Sequence, residues 1–172
     1  MSIRRVNHIV LSVSDLDQST RFYGDVLGLD HVATLPAQAN WKEMRFFRSK
    51  GNSTNHHDIA LIPNASLPLP GWGQASSPGL FHVALEVGTI DELEEIGERL
   101  KAANALMDYI HQPMHLSAYG RDPDGLSVEI IWRIPNQAWT DDEMWRKPID
   151  FDEVRKRWGG SFPTGSAAGE PA

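Results

Sequence analysis

Cysteine is absent from this chain of 172 residues. Disulfides, zinc fingers and thiolate ligation are thereby excluded, and any metal must be held by nitrogen and oxygen. Also missing are an apolar run near the length of a membrane span and a secretory leader with a charged start and apolar middle. A cytoplasmic location without membrane association is expected. Positive charge is in deficit: 16 Lys and Arg against 23 Asp and Glu leave a formal net charge of −7. The basic residues form no long stripe, which argues against a nucleic-acid partner. A hydrophobic content of 41% is that of an ordinary globular protein rather than a disordered one. The length suffices for one domain of two small halves with a shared core.

What is present is a repeat. Asn7-His8-Ile9-Val10-Leu11-Ser12-Val13 and Phe81-His82-Val83-Ala84-Leu85-Glu86-Val87 are both apolar strands with a histidine near the start. Each leads through a short acidic turn into an amphipathic helix, and the histidines are 74 residues apart. Strand side chains alternate between faces. His8, Val10 and Ser12 therefore share one face, and His82, Ala84 and Glu86 share its counterpart. The fully apolar opposite faces can pack on the helices. A duplicated fold that brings the two polar faces together has two imidazoles ready for one metal ion.

The pattern predicts a strand over 5–13 and a helix over 16–27, with Ser14 or Asp15 as N-cap and Gly28 ending it. Phe22, Val26 and Leu27 are its expected buried stripe. Strands follow over 30–35, 41–48 and 57–62, with a turn at 51–55. The second copy predicts a strand over 80–87, a helix over 90–103, and strands near 107–111, 113–120 and 126–133. Asp122-Pro123-Asp124-Gly125 is a turn signal feeding the last strand. The expected organisation is one domain over 1–160: module one 1–63, linker 64–78, module two 79–135 and a C-terminal helical arm 136–160. The small-residue tail 161–172 is expected to be flexible.

The order βαβββ used twice, with these residues, resembles the vicinal oxygen chelate superfamily. Its members include glyoxalases, fosfomycin- and bleomycin-resistance proteins and type I extradiol ring-cleavage dioxygenases. Phe22-Tyr23-Gly24-Asp25-Val26-Leu27-Gly28-Leu29 is similar to the helix-ending signature of the superfamily. A more specific stretch runs from His111 through His115, Tyr119, Asp122-Pro123-Asp124-Gly125 and on to Glu129. It resembles the extradiol dioxygenase signature, departing from it at Ala118, where that pattern has a larger apolar residue. Asn55-His56-His57-Asp58 resembles the paired histidines of the ring-cleaving enzymes. The resemblance implies an α+β fold, two paired βαβββ modules forming a cup-shaped, barrel-like mixed sheet.

It implies a site as well. His8, His82 and Glu129 are expected to hold Fe(II), or Mn(II), leaving adjacent coordination positions open. Strand parity puts Glu129 with Ser127, opposite Leu126, Val128, Ile130 and Trp132, and a carboxylate in a polar cavity is costly unless paired or metal-bound. His57 is expected to be the acid–base residue, with Tyr119 hydrogen-bonding a substrate oxygen and His115 preferred over His111 on the substrate side. Glu86 is expected either to line the cavity or to pair with an arginine, and His31 to lie on the surface. The implied partners are a small aromatic diol and O₂, and the implied assembly is a homodimer. Trp41, Phe46, Trp72 and the aromatic arm suggest an apolar ring substituent. In a glyoxalase the last strand of module one supplies a fourth ligand, a Glu. Superposing the halves puts Ile59 there, or Asp58 after a one-residue slip, so three protein ligands are favoured over four. The alternatives are a glyoxalase-like isomerase or lyase, and a metal-free binding protein of the resistance type.

Overall fold

Leu11 and Val13 are almost wholly covered, whereas Val10, just before them on the other face, is 46% exposed. This is the alternation expected of a strand with one face on a core. The strand is β1, Ile9–Val13. A computed structural model describes residues 3, 5–51, 53–64, 79–139 and 145–165. The chain divides into two compact units, 1–70 and 71–172. Most of the expected linker, including Trp72, lies outside the described residues.

In the first unit, β1 is followed by α1 (Leu16–Arg21), β2 (Asp30–Leu35), β3 (Met44–Arg48) and β4 (Ile59–Pro63). Asp15 is the N-cap of α1, its carboxylate accepting from Gln18 N at 2.9 Å. The predicted helix over 16–27 is not uniform. From Phe22 to Val26 it widens into a π-turn, closed by Leu27 N donating to Phe22 O at 2.9 Å. The wider turn rotates Tyr23 inward, so Phe22, Tyr23 and Leu27 form the buried stripe instead of Val26. Gly28 then leaves the helix at φ 79°, a left-handed conformation that suits glycine. The sheet order is β1-β4-β3-β2, with β1 parallel to β4 and the other pairs antiparallel.

The second unit repeats this plan with β5 (His82–Glu86), α2 (Ile90–Ala102), β6 (Leu106–His111), β7 (His115–Arg121) and β8 (Ser127–Arg133). A short β9 (Lys147–Pro148) and α3 (Phe151–Trp158) follow. The sheet order is β5-β8-β7-β6-β9, again with the first strand parallel to the last strand of the repeat. Thr89 and Glu92 form a capping box that satisfies the first amides of α2. Ile90, Leu93 and Leu100 of α2 are fully buried, as are Ala118, Val128 and Trp132 of the sheet. The two units thus share one βαβββ topology of mixed sheets, the expected α+β class. Among the described residues no helix is long and apolar enough to cross a membrane.

The C-terminal segment departs from expectation. Residues 161–165 are docked on the second unit: Phe162 O accepts from Trp132 Nε1 at 3.0 Å, and Thr164 N donates to Gly88 O at 2.8 Å. Thr164 Oγ1 also accepts from Arg133 N at 2.9 Å. Backbone pairing is what tail composition does not reveal. Residues 166–172 lie outside the described residues.

Candidate metal centre

Glu129 sits mid-strand in β8, opposite Tyr119 of β7 and beside Ala84 of β5. Its neighbours on that face are His82, Ser117 and His115, all at the same parity. Only 4% of Glu129 is exposed, so its charge must be met by partners. Ser117 Oγ donates to Oε1 at 2.7 Å and Tyr119 Oη at 2.6 Å. His115 Nε2 lies 3.2 Å from the same oxygen, and His82 Nε2 lies 3.3 Å from Oε2. Burial alone would raise the Glu129 pKa. The contacts from His115, Tyr119 and Ser117 outweigh it and bring the carboxyl down to about 2. Burial, together with the hydrogen bond to Glu129, pushes the Tyr119 phenol up to about 12. At neutral pH this is a carboxylate and a protonated tyrosine, with the phenolic proton committed to Glu129.

Gln112 completes the network. Its Nε2 lies 3.0 Å from His115 Nε2 and donates to Tyr119 Oη at 3.3 Å. Tyr119 therefore accepts from Gln112 while donating to Glu129. In this geometry the Tyr119 hydroxyl is bonded to the Glu129 carboxylate and orients it. Sequence reasoning passed over Gln112 and Ser117. Parity flags Ser117, two residues before Tyr119 on one face, but nothing local reveals Gln112.

One imidazole nitrogen and one carboxylate oxygen suit iron or manganese. A charge-assisted hydrogen bond has a length of about 2.7–2.9 Å, shorter than the 3.3 Å between His82 Nε2 and Glu129 Oε2. With bonds of about 2.1 Å, two donors in adjacent positions on one ion stand about 3 Å apart. A spacing of 3.3 Å suits a long ion pair and two donors on a shared cation alike. His82 Nδ1 is buried without a partner, so its support differs from that of a typical ligand histidine. Among the described residues no group of three or more His, Asp or Glu side chains is arranged as a metal site by itself.

In the first unit His8 immediately precedes β1 rather than lying within it. Its Nδ1 is 2.8 Å from Asn7 Oδ1, which can only accept, so Nδ1 carries the proton and Nε2 keeps its lone pair. Asn7 is braced in turn by Asn55, whose Nδ2 donates to Asn7 O at 2.7 Å. The His57 ring lies 4.5 Å from the His8 ring and 4.8 Å from Phe46. Burial, followed by the positive potential of His8 and His56, lowers the His57 pKa against the pull of Asp58. A neutral imidazole able to accept a proton follows.

The other expected residues have clear placements. His111 projects from the face of the sheet opposite His115 and packs on Trp145 at 5.0 Å. Glu86 pairs with Arg133 and accepts from Thr164 Oγ1. His31 is exposed, its ring stacked on Phe47 at 5.2 Å. Trp41 is 54% exposed.

Strand register corrects the superposition of the halves. Val10 pairs with Ala60 in the first sheet, and Ala84, its repeat equivalent, pairs with Glu129 in the second. The position matching Glu129 is therefore Ala60, not Ile59 or Asp58. Ala60 is wholly buried and carries no donor. Asp58 is committed elsewhere: Ser49 N donates to Oδ2 at 2.8 Å, and Ser53 Oγ and Asn55 Nδ2 donate to Oδ1 at 2.7 Å each.

These bonds outweigh the upward push of burial and hold the Asp58 pKa below its ordinary value. Asp58→Asn is expected to leave bound metal at the wild-type level while costing about 1–3 kcal/mol of stability, the range for a hydrogen-bonded charge. The sign follows from the depressed pKa. The contribution is present above the unfolded-state value near pH 4 and fades as pH falls through the folded value. Wild type and Asp58→Asn should therefore converge in melting temperature in acid; a constant gap down to pH 2 would contradict this.

The model of the Glyoxalase/Bleomycin resistance protein/Dioxygenase superfamily matches residues 5–130. A virulence protein of Salmonella typhimurium is 33% identical over 76% of this chain and 85% of its own. An iron-dependent extradiol dioxygenase of Rhodococcus jostii is 28% identical over 72% of this chain, which spans only 41% of that enzyme. A probable lactoylglutathione lyase of Vibrio cholerae is 28% identical over 76% of this chain and 92% of its own. The solved structure of a glyoxylase/bleomycin resistance protein/dioxygenase domain from Frankia aligns with a TM-score of 0.63. It covers 77% of this chain and all of that one at 23% identity, a likeness of fold.

Proposed function

The chain belongs to the glyoxalase/bleomycin resistance protein/dioxygenase superfamily, and from that membership we propose that it is a metal-dependent extradiol dioxygenase opening a catechol ring beside its hydroxyls. The observation that carries this is the register that sets Ala60 where a fourth carboxylate would stand. His8, His82 and Glu129 would be the three protein ligands of Fe(II) or Mn(II), a set that leaves coordination positions for exogenous molecules. When bound, the ion would acidify the catechol and bring O₂ to it.

The chain's own residues do the rest. Asn7 keeps the proton of His8 on Nδ1, leaving Nε2 for ligation. Ser117 and Tyr119 cap one oxygen of Glu129, leaving the other facing His82. His57, held neutral, takes the remaining phenolic proton and returns it to the opened product. His115 lines the substrate side, while the Phe46 ring packs against His57 at 4.8 Å. The substrate is a small aromatic diol, and the working assembly is a homodimer.

One observation favours a second reading. The chain spans nearly the whole of the Vibrio lyase but under half of the Rhodococcus dioxygenase. A glyoxalase-like isomerase or lyase is therefore the competitor. The test is Fe(II)-loaded protein with catechol or 3-phenylcatechol in air-saturated buffer. A yellow ring-opened product with one O₂ consumed per ring is the expected result. Inertness toward both diols, with turnover of the hemithioacetal of methylglyoxal and glutathione, would establish the competitor.

A further inference from the structure

We infer that the second unit carries a separate binding site for a small aromatic carboxylate, on the face of its sheet opposite Glu129. His111 pairs with Leu116 in the β6–β7 ladder and so shares the face that Leu116 buries, away from Glu129 and Tyr119. A cavity of about 150 Å³ opens there between the sheet and the C-terminal arm. Its floor is apolar, including Pro113, Ile134 and Val154, and two indoles, Trp145 and Trp158, line it. An apolar cavity of about this size accommodates one benzene ring.

The rim determines the charge of the occupant. Among the described residues Lys147 and Arg157 border the cavity, against one carboxylate, that of Glu153. Among the described residues neither cation has a carboxylate within ion-pair distance; each lies over an indole instead, Lys147 Nζ 5.3 Å from Trp145 and Arg157 Cζ 4.7 Å from Trp158. His111 adds no positive charge near neutral pH, because burial and then Lys147 lower its pKa. Among the described residues the rim is thus net positive, in a chain of net charge −7. A ring stacked between the indoles with its carboxylate at Lys147 and Arg157 satisfies both features. The site shares no residue with the candidate metal centre and does not depend on it.

The test uses benzoate added to the full-length, ¹⁵N-labelled protein, followed through the indole N–H signals. Trp145 and Trp158 are expected to shift and saturate at about millimolar benzoate, the affinity range of so small a ligand. Trp41, in the other unit, should not move. Benzyl alcohol, equal in shape but neutral, should bind about tenfold more weakly. The double variant Lys147→Gln/Arg157→Gln should lose that preference while keeping the native spectrum. No saturable shift at Trp145 and Trp158 would overturn the proposal. Equal binding of benzoate and benzyl alcohol, or shifts centred on His82 and Glu129, would overturn it too.

Discussion

Glu129→Ala is expected to strip the protein of bound metal after anaerobic loading with Fe(II), and His8→Ala and His82→Ala to do the same. His31→Ala, which alters an exposed ring stacked on Phe47, should retain the wild-type amount. Removing a residue that merely braces a ligand costs about 10–100-fold in metal affinity, so removing the ligand itself should exceed that. Elemental analysis of the desalted protein reads the result directly. Glu129→Ala also leaves Ser117 Oγ and Tyr119 Oη, two donors that now converge on one oxygen, without their acceptor. Glu129→Gln keeps the volume and an acceptor oxygen, so it separates metal loss from unfolding. Wild-type metal content in a folded His8, His82 or Glu129 variant would remove that residue from the set. Should the wild-type protein itself take up no metal, Glu129 and its histidines would be a buried ion-pair network and no more.

The repeat and the strand alternation made most of this legible in advance, because both depend on residues close in sequence. His82 and Glu129 converge as parity requires, and the C-terminal strands lie within a few residues of their expected bounds. Register between strands was a different matter. Whether Ala60 or Ile59 matches Glu129 depends on how β1 meets β4 across some 50 residues of chain, and a slip of one reverses the face. The π-turn at Phe22–Val26 was hidden because a helical period of 3.6 selects Val26 for the core, and one wider turn selects Tyr23. Asn7 and Asn55 escaped for the same long-range reason. Their pairing spans 48 residues, and either alone is an ordinary polar residue beside a strand or turn. Asn55 and Asp58, three apart and bonded at 2.7 Å, were a local signal that could have been found. The bond from Tyr119 to Glu129 likewise crosses the β7–β8 pair, where register sets two residues ten apart side by side.

His57→Phe carries the second large effect. Phenylalanine keeps a planar ring against His8 and Phe46, so the turn and the His8 orientation should survive, together with the bound metal. What disappears is the only group of that side chain able to hold a proton. General acid–base catalysis contributes about 10²–10⁴-fold, equivalent to ~3–5 kcal/mol of barrier. A fall in kcat of that order, with catechol still bound, is the expected result. A histidine that only shapes the rim predicts something else: a change of a few-fold, confined to KM, because binding alone would be touched. His56 supplies the internal comparison. It lies next to His57, with Nδ1 atoms 3.1 Å apart, but it is exposed. His56→Phe should therefore leave kcat within a few-fold of wild type. If the two variants behave alike, the pair contributes only local charge, and the proton acceptor must be sought elsewhere on the site. A metal-loaded His57→Phe enzyme with normal kcat would exclude His57 from the chemistry while leaving the His8, His82 and Glu129 assignment untouched.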